Sequence, residues 1–568
     1  MKKFVKFIKK YAVFITLLFI TILGFILRLK IGLCNLANDE VATVVTATQS
    51  FPKGILDALV TKNLHAPLFY FILHFWIKYF GEKTEILRLL PILLGTTCIP
   101  VAYICGKNLL SKSAGILTAA LVSVNFFMIY YSHFCKFYAL LQLLGFLSLY
   151  FLVKYDKNKI NRYLYLLAIT NAMIIYTYVL GFLFVFIQIL IYLLYRIKVK
   201  QDKDIKFTLR YFITLASLTL PIAPFMIKVI QNTQSSVFPT FVWYKFSPGH
   251  IQSVLLTWFS PAIPIAFYDG AQTDATQTYY SANYIYLIIF NIVPLCIAIT
   301  GIIKTLCKKD LCTYILYSAF LFVLAELIAA IFGKFAFCSR YTTLCFPCII
   351  LAIGCGLSRI KIRNLSILLV LIYAYANFLF LTAHVLPIYN TNVSEIFTMA
   401  KIMNKLNLTN GECIIIPVRG YYFQKYYDTS KINFISYDIN YSYKINDNKI
   451  IKRIFDENDI INGNDLTPYE RFENYLDDYK PSRATAEFIK SACINKLDYG
   501  NRVFLITYNS YESKNLNWYL EAYKDNIYKL LATKLNYDLE KILKTYLTEI
   551  QTIKSENFKI IEYRKNKY

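Results

Sequence analysis

Charged residues are scarce in this sequence of 568 residues, and acidic residues are the scarcest. Only 17% of the residues are charged, with 35 Asp or Glu against 61 Lys or Arg, whereas a soluble domain carries about a quarter charged residues. The 13 cysteines lie mostly within apolar runs, as is typical of small buried hydrophobic residues. There is also no convincing internal repeat. The scarcity of charge excludes an ordinary soluble protein.

Apolar runs fill the first two thirds of the chain instead. From Tyr11 to about His384, successive runs of 17–22 residues are each long enough to cross a bilayer of about 30 Å as a helix. Ordinary mixed sequence follows. We therefore predict a transmembrane domain at residues 1–384 and a water-soluble domain at residues 385–568.

The net charge of +26 belongs almost entirely to the apolar part. Residues 385–568 contain 26 basic and 23 acidic residues, which leaves 35 basic and 12 acidic residues for residues 1–384. That excess lies in short loops between apolar runs, which is the pattern of cytoplasmic loops in membrane proteins. Phosphate-binding proteins instead gather basic side chains on one surface. We therefore expect membrane lipids, and no nucleic acid, as partners.

The basic loops determine the predicted topology. The first ten residues are rich in lysine, which predicts a cytoplasmic N-terminus. The apolar run that follows has no small-residue cleavage site, so we interpret it as an uncleaved first helix. Five more loops are placed in the cytoplasm: Lys107–Lys112, Lys154–Arg162, Arg196–Arg210, Lys304–Lys309 and Arg359–Arg363. The apolar runs between them go out and return, which gives about eleven spanning helices in the cell membrane.

The run at residues 66–80 is not counted as a spanning helix. Two apolar runs, 66–80 and 88–106, separate the outer end of helix 1 from the next cytoplasmic loop, so only one of them can span. The first is shorter and contains His74 and Lys78, which predicts an amphipathic helix lying flat on the outer membrane surface. The outer segments are then a first loop, 32–87, and a long loop, 231–281.

The last third has the pattern of an α/β domain. Strand-like runs of β-branched and aromatic residues alternate with helix-like stretches. The strand-like runs are 413–418, 432–437 and 502–508, and the helix-like stretches are 421–428, 484–497 and 516–531. The predicted fold class is an α-helical polytopic membrane protein with an extracytoplasmic α/β C-terminal domain. The abundance of Lys, Ile, Asn and Tyr also indicates an AT-rich bacterial genome.

Unusual polar residues collect on the predicted outer face. They are Asn38–Glu40, His65, Arg88, Ser132–Tyr138, Tyr178, Trp243, Lys245, His250, Trp258, Asp269, Lys334 and Ser339–Tyr341. An acidic pair can supply a general base, and cations can bind a phosphate, Arg in a bidentate manner. Taken singly, the acids also suit a helix N-terminus and the cations and tryptophans suit headgroup anchors. Their convergence on one face favours a site.

Several of these segments, in this order, resemble motifs of glycosyltransferase family 39. The segments are Asn38–Glu40, His65–Tyr70 with Phe80 and Gly81, Arg88–Pro91, Tyr131–Leu141, and Arg340–Tyr341 with Pro347. That family includes the protein O-mannosyltransferases, and the lipid A aminoarabinose transferases are close relatives. The likeness is dense over residues 25–155 and thinner to about 385. It implies the C-superfamily glycosyltransferase fold, shared in its first helices with oligosaccharyltransferase.

The resemblance implies a membrane enzyme that moves a sugar from a polyprenyl-phosphate donor to a lipid, glycan or protein acceptor of the cell envelope, with inversion. Asp39 would act as the general base, and Glu40 would orient it or the acceptor. Three cations would bind the donor phosphate: Lys136, Arg340 and Arg88. Four side chains would contact substrate: His65, His133, Tyr138 and Tyr341. No cofactor is assigned, and a divalent metal stays an open alternative.

The chain departs from the family at one turn. The family has Gln-Glu-Ala-Arg where this chain has His133-Phe134-Cys135-Lys136, so a role for that Glu is not carried over, and Lys lacks the bidentate fork of Arg. Two other classes of function stay open, a transporter or lipid flippase and a non-catalytic envelope-assembly protein. The transporter is less favoured, because there is no convincing repeat and few ionisable residues other than Glu326 lie within the apolar runs. The long outer loop with Asp39 and Glu40 after helix 1 favours an enzyme over both alternatives.

Overall fold

The computed structural model describes most of the chain. The described residues are 2–32, 36, 38–60, 65–202, 205–235, 251, 254, 258, 284–332, 337, 339–380, 395–416, 423, 427–436, 443–446, 449–453, 483–508, 527–555 and 558–565. They form two compact units, one drawn from residues 2–380 and one from residues 395–565.

The first unit is helical throughout its described part. Its helices are α1 (Lys2–Gly32), α2 (Asn38–Ala47), α3 (Lys53–Ala58), α4 (Leu68–Phe80), α5 (Thr84–Leu109), α6 (Lys112–Val124), α7 (Phe126–His133), α8 (Tyr138–Asn158), α9 (Asn161–Thr177), α10 (Gly181–Tyr195), α11 (Ile205–Thr219), α12 (Ala223–Ser235), α13 (Tyr284–Leu306), α14 (Leu311–Ile331), α15 (Phe346–Leu357) and α16 (Arg363–Phe380). Short 3-10 turns at Leu220–Ile222 and Tyr341–Leu344 join α11 to α12 and precede α15.

Each of the eleven predicted spanning runs overlaps a helix of the described residues. Among the described residues, six helical stretches are long and apolar enough to cross a membrane, one of them formed by α11 and α12 together, and α6 with α7 makes a seventh if the two are taken together. Helices prevail because a spanning segment must satisfy its backbone hydrogen bonds internally. The expectation of a multi-pass membrane protein is confirmed, while the number eleven and the sidedness of the termini stay predictions.

The third predicted span is broken at Asn125, where α6 and α7 meet at an angle of 56°. The Asn125 side chain begins α7 by accepting a hydrogen bond from the Met128 N–H at 2.9 Å. The Phe126 N–H, which would otherwise continue α6, donates to Oδ1 of Asn377 at 2.9 Å. A side chain from α16 therefore satisfies a backbone group that the break releases.

The first loop folds into short helices, α2 to α4. The predicted helix at 66–80 is confirmed as α4, and its flat position on a membrane surface stays a prediction. Nδ1 of His74 lies 2.8 Å from the carbonyl oxygen of Ala47, which ties α4 to the end of α2. The indole N–H of Trp76 donates to the Ile86 carbonyl at 2.8 Å, which ties α4 to α5.

The second unit is an α/β domain, as predicted. Its strands are β1 (Cys413–Ile416), β2 (Asn433–Ser436), β3 (Tyr443–Asn446), β4 (Lys449–Arg453), β5 (Arg502–Tyr508), β6 (Thr548–Lys554) and β7 (Phe558–Arg564). Its helices are α17 (Glu395–Lys405), α18 (Arg483–Ala492) and α19 (Ile527–Tyr546). A five-stranded sheet has the order β2-β1-β5-β7-β6, and β3 and β4 form a hairpin.

The sheet is mixed. The strands β2, β1 and β5 are parallel, and β5, β7 and β6 are antiparallel. The central strands β1 and β5 are buried along their apolar runs, as expected for strands covered on both faces. The three predicted strands are confirmed in position, whereas β6 and β7 were not predicted. The predicted helix at 421–428 and the first part of the one at 516–531 lie mostly outside the described residues.

Candidate active site

The side chain of Glu40, in the first turn of α2, joins three segments of the first unit. Its Oε2 accepts a hydrogen bond from Nη2 of Arg88 on α5 at 2.7 Å, and its Oε1 accepts from the backbone N–H of Cys135 at 2.7 Å. Nη1 of Arg88 also donates to the carbonyl of His133 at 3.1 Å. Both partners of the ion pair are almost completely buried. The pair therefore fixes α2 and α5 against the turn between α7 and α8.

That turn carries Lys136. The Lys136 N–H donates to the Phe134 carbonyl at 2.7 Å, which folds the chain sharply between the two helices. Only 8% of the Lys136 surface is exposed. The backbone N–H of the preceding residue, Cys135, donates a hydrogen bond to the Glu40 carboxylate. This hydrogen bond therefore helps to fix the position of the Lys136 backbone.

A second cation, Arg28 of α1, supports the same region and was not predicted as part of the site. It is fully buried, and its Nε donates to Oγ of Ser132 at 3.1 Å. Its Nη2 donates to the Val122 carbonyl at 3.0 Å and its Nη1 to the Ser123 carbonyl at 3.3 Å. These carbonyls end α6 at the break before Asn125. Arg28 thus holds the break and the last turn of α7 together.

Close approach of α5 and α7 depends on a glycine. A Cβ atom at Gly95 would lie 2.4 Å from Cβ of Ser132 and 3.3 Å from Nε of Arg28. Real side chains do not approach so closely. Gly95 therefore lets α5 reach the position from which Arg88 contacts Glu40.

Phe134 stands where the family has Glu, and it belongs to a cluster of rings. Its ring centroid lies 5.0 Å from those of Tyr130 and His133 and 6.3 Å from that of Tyr138. Such separations are typical of favourable aromatic packing. Beside the turn, an apolar ring therefore stands at the position where the family motif has a carboxylate.

A second group of rings extends this surface. The His65 ring lies 5.3 Å from that of Phe137, and Phe137 lies 5.8 Å from Tyr178 in a stacked arrangement. Phe137 also contacts Tyr138 at 4.9 Å. Three predicted substrate-binding residues, His65, His133 and Tyr138, are therefore brought together at one turn.

Arg340 and Tyr341 lie at the 3-10 turn before α15. The Arg340 guanidinium is 5.2 Å from the centre of the Tyr341 ring. The turn Tyr341–Leu344 packs against α8, because a Cβ atom at Gly145 would lie 3.0 Å from Cγ of Pro347 and 3.3 Å from the carbonyl oxygen of Leu344. Gly145 follows Tyr138 by seven residues, and Pro347 follows Arg340 by seven residues. The helices that follow Lys136 and Arg340 are therefore in close contact.

Several of the predicted site residues lie outside the side chains that the structure describes. Asp39 lies in the first turn of α2, but its side chain is outside the described residues, as are Trp243, Lys245, His250, Asp269 and Lys334. Trp258 is described, and its indole N–H donates to Oγ1 of Thr342 at 2.8 Å.

A metal site needs several ligating side chains close together. Among the residues that the structure describes, no group of three or more His, Cys, Asp or Glu side chains has a metal-binding arrangement. Cys345 and Cys348 have a CxxC spacing, but both are buried, free thiols. The alternative of a divalent metal stays open, since the Asp39 side chain is not part of that set.

Comparisons with known proteins show a family match for part of the chain and similar folds for nearly all of it. Residues 64–227, from four residues before α4 into α12, match the family described as "Dolichyl-phosphate-mannose-protein mannosyltransferase". The comparison with curated proteins gives no match.

Two solved membrane enzymes are similar in fold over almost the whole chain. The apo structure of ArnT from Cupriavidus metallidurans has a TM-score of 0.55 at 11% identity, with 98% of each chain covered. The oligosaccharyltransferase of Archaeoglobus fulgidus has a TM-score of 0.54 at 11% identity, with 99% of this chain and 75% of the other covered. At this identity the likeness shows the fold alone. Together with the family match over residues 64–227, it confirms the resemblance to membrane glycosyltransferases of the family 39 type.

Proposed function

We propose that the protein transfers a sugar from a polyprenyl-phosphate donor to a hydroxyl group of a lipid, glycan or protein acceptor on the outer membrane face. The observation that carries the proposal is the Glu40 carboxylate, held between Arg88 and the N–H of Cys135. It connects the helix of the candidate base, Asp39, to the turn of the candidate phosphate ligand, Lys136.

Structures of similar fold support the donor class. ArnT of Cupriavidus metallidurans has been solved bound to undecaprenyl phosphate, and the oligosaccharyltransferase AglB of Archaeoglobus fulgidus has been solved with a dolichol-phosphate. A lipid-linked donor also suits an outward-facing site, because nucleotide sugars are cytoplasmic.

In the proposed reaction, Asp39 takes the proton from the acceptor hydroxyl as the oxygen attacks the anomeric carbon. Glu40 positions this base and is the poorer base of the two, since the paired charge of Arg88 stabilises its ionised carboxylate in a buried environment. The bond to the donor phosphate breaks as the new glycosidic bond forms. A single displacement of this kind inverts the anomeric centre.

Negative charge that develops on the leaving polyprenyl phosphate would be stabilised by Lys136 and Arg340. Both precede helices that pack against each other, through Gly145 and Pro347. Arg88 is a weaker candidate for this role than the sequence suggested, because Glu40 and the carbonyl of His133 occupy two of its nitrogens. We assign Arg88 to holding the site together.

The aromatic surface would bind the sugar or the first isoprene units. Phe134 and Tyr138 lie next to Lys136 along the chain, and their rings present apolar faces. The exchange of the family Glu for Phe134 then indicates a donor or acceptor that differs from the usual one in polarity at this point.

The test is an Asp39→Asn variant in a membrane preparation, supplied in turn with undecaprenyl-phosphate mannose, galactose and 4-aminoarabinose. The variant should lose transfer of the sugar that the wild type uses, at an unchanged level of folded protein. Asp57→Asn is the matched control, because Asp57 is an exposed acid in α3 of the same loop, and it should retain full activity. Full activity of Asp39→Asn would contradict the assignment of the base. Lipid movement without sugar transfer in reconstituted vesicles would favour the flippase.

A further inference from the structure

Three polar side chains next to the proposed site are buried without a hydrogen bond among the described residues. They are the amide of Gln142, the carboxyl of Glu326 and the hydroxyl of Ser339. Their exposed fractions are 0%, 2% and 2%. Polar groups buried this deeply are nearly always paired in native proteins. Three exceptions in one region call for a partner.

The three side chains lie on elements that surround the 3-10 turn Tyr341–Leu344. Gln142 is on α8, one turn before Gly145, which packs against Leu344 and Pro347, and residues three apart share a helix face. The carbonyl of Ser339 opens the turn by accepting the Thr342 hydroxyl at 2.7 Å.

Glu326 approaches the turn from α14. Its carboxyl lies within electrostatic range of the thiol of Cys345, the residue that follows the turn directly. The amide, the hydroxyl and the carboxyl therefore come from three different elements that meet at one short segment.

Gln142 and Glu326 both lie near an end of their helix. Gln142 is four residues from the start of α8 and Glu326 is five residues from the end of α14. At a rise of about 1.5 Å per residue, these are about 6 Å and about 8 Å from the helix ends. The start of α8 is Tyr138, and Ser339 directly precedes Arg340, in the region to which the proposed function assigns the donor phosphate.

The chemistry of the set excludes an isoprenoid tail as its partner, because a hydrocarbon offers no hydrogen bonds. A carboxyl, a carboxamide and a hydroxyl together supply several donors and acceptors. A sugar ring presents several hydroxyl groups, each of which can donate and accept. The sugar is also bonded directly to the phosphate, so it lies close to the phosphate ligands.

We propose that Gln142, Glu326 and Ser339 form the subsite for the hydroxyl groups of the donor sugar, and that they select the sugar. This inference rests on the proposed function, since it takes the donor to be a polyprenyl-phosphate sugar. It names the residues that recognise the sugar, and these differ from the residues that bind the phosphate.

The experiment compares two ligand classes on the purified full-length protein. Binding of undecaprenyl phosphate is measured beside that of undecaprenyl-phosphate mannose, galactose and 4-aminoarabinose. For the wild type, at least one sugar-bearing lipid should bind more tightly than the bare lipid. Glu326→Gln and Gln142→Met should each lower the affinity for that sugar-bearing lipid about tenfold. The affinity for undecaprenyl phosphate should stay within twofold of the wild-type value.

Stability separates a binding role from a structural one. Gln142→Met removes an amide that the free protein leaves unsatisfied, so the melting temperature without ligand should rise by about 2 °C. Gln188 is the matched control. It is also buried, but its Oε1 accepts hydrogen bonds from Ser148 at 3.0 Å and Asn171 at 3.2 Å, and only its Nε2 has no partner among the described residues. Gln188→Met should therefore lower the melting temperature and leave the affinity ratio of the two ligand classes unchanged.

Three results would overturn the subsite. They are equal binding of bare and sugar-bearing lipids by the wild type, equal losses for both lipids in the variants, and a lower melting temperature for Gln142→Met. The proposed function has its own readout in the same preparation, which is transfer of sugar by the wild type. Sugar-dependent binding without transfer would contradict the proposed function and support the subsite.

Discussion

The guanidinium of Arg88 and the carboxylate of Glu40 form a buried ion pair with a separation of 2.7 Å. The other oxygen of this carboxylate accepts the N–H of Cys135, the residue before Lys136. Removing one member of a buried ion pair leaves the other charge uncompensated in a poorly solvating environment. The pair is therefore important both for stability and for the position of the proposed phosphate ligand.

Glu40→Gln should destabilise the protein by about 3–5 kcal/mol, the range for breaking a buried ion pair. The variant keeps a side chain of the same size but leaves the charge of Arg88 without its carboxylate. Sugar transfer should fall as well, because the turn at Cys135 is no longer held by a charged acceptor. Thermal unfolding in detergent and the initial transfer rate measure the two effects.

A double-mutant cycle separates the pair from its surroundings. The double variant Glu40→Gln with Arg88→Met should lose less unfolding free energy than the two single variants lose in sum. The difference, which is the coupling energy, should be about 1–3 kcal/mol, and the double variant should stay inactive. Glu85→Gln is the control, since Glu85 is an exposed acid of the first turn of α5, and it should change stability by less than about 0.5 kcal/mol. Additive losses would show that the pair is not coupled.

Lys136→Ala should lower kcat about 10²–10³-fold with a smaller change in KM, because a group that stabilises developing charge acts mainly in the transition state. Lys136→Arg keeps the charge and restores the family's residue, so it should retain at least about a tenth of the wild-type kcat. The control is Lys83→Ala, which removes an exposed lysine just before α5. An unchanged kcat in Lys136→Ala would remove this residue from the reaction.

The helices could be predicted because the signal is local. A run of about 20 apolar residues is sufficient for a span, and the basic loops supply the order. The break at Asn125 was not predicted, since it depends on Asn377 and Arg28 from segments far away in the sequence. Strand β6 was missed for a different reason. It is an edge strand whose residues are mostly exposed, so it lacks the apolar pattern of a buried strand.

The candidate site shows the same division. Residue types and their order indicated Glu40, Arg88 and Lys136, but not that Glu40 and Arg88 bind each other. Arg28 is a single charged residue near the end of the first apolar run, and its sequence position alone does not connect it with the site. Two of its hydrogen bonds go to the carbonyls of Val122 and Ser123, and backbone acceptors leave no trace in the sequence. A charged residue within a spanning run is nevertheless a useful signal, because burial there requires partners.

Arg28→Met should destabilise the protein by several kcal/mol, because it leaves two carbonyls at the break and the Ser132 hydroxyl without their donor, at about 1–3 kcal/mol for each unsatisfied group. Arg28→Lys keeps the charge but has fewer donors in a different geometry, so the loss should be intermediate. Unfolding in detergent, followed by the fluorescence of the buried Trp258, measures these differences.

Lys30→Met is the matched control for Arg28. Lys30 lies two residues further along α1 and is exposed, so its replacement should leave stability within about 0.5 kcal/mol of the wild type. Asn377→Ala tests the same break from α16, where one hydrogen bond to the Phe126 N–H is lost, at a cost of about 1–3 kcal/mol. Equal stabilities of Arg28→Met and Lys30→Met would show that the break needs no support from α1.

The second unit contains an ion pair with a predictable pH dependence. Nε and Nη2 of Arg502 donate to the Glu412 carboxylate at 2.5 and 3.0 Å, and the Thr409 N–H donates to it at 2.7 Å. Burial alone would raise the pKa of Glu412, but the hydrogen bonds from Arg502 and Thr409 outweigh it, and the pKa lies below its usual value. Because the folded state holds this carboxylate ionised, the stabilisation is complete above the unfolded pKa of about 4.3 and disappears as the pH falls through the lower folded value.

Glu412→Gln should therefore weaken the second unit at pH 7 by about 1–3 kcal/mol and much less at pH 3. Hydrogen exchange of the β1 and β5 amides in the full-length protein, compared with the wild type at each pH, measures the difference, since Glu412 and Arg502 adjoin these strands. Glu549→Gln is the control, because Glu549 pairs with Lys544 on the surface at the far edge of the sheet, and it should leave β1 and β5 unchanged. A loss of protection in Glu412→Gln that is as large at pH 3 as at pH 7 would mean that the charge of Glu412 contributes nothing to the unit.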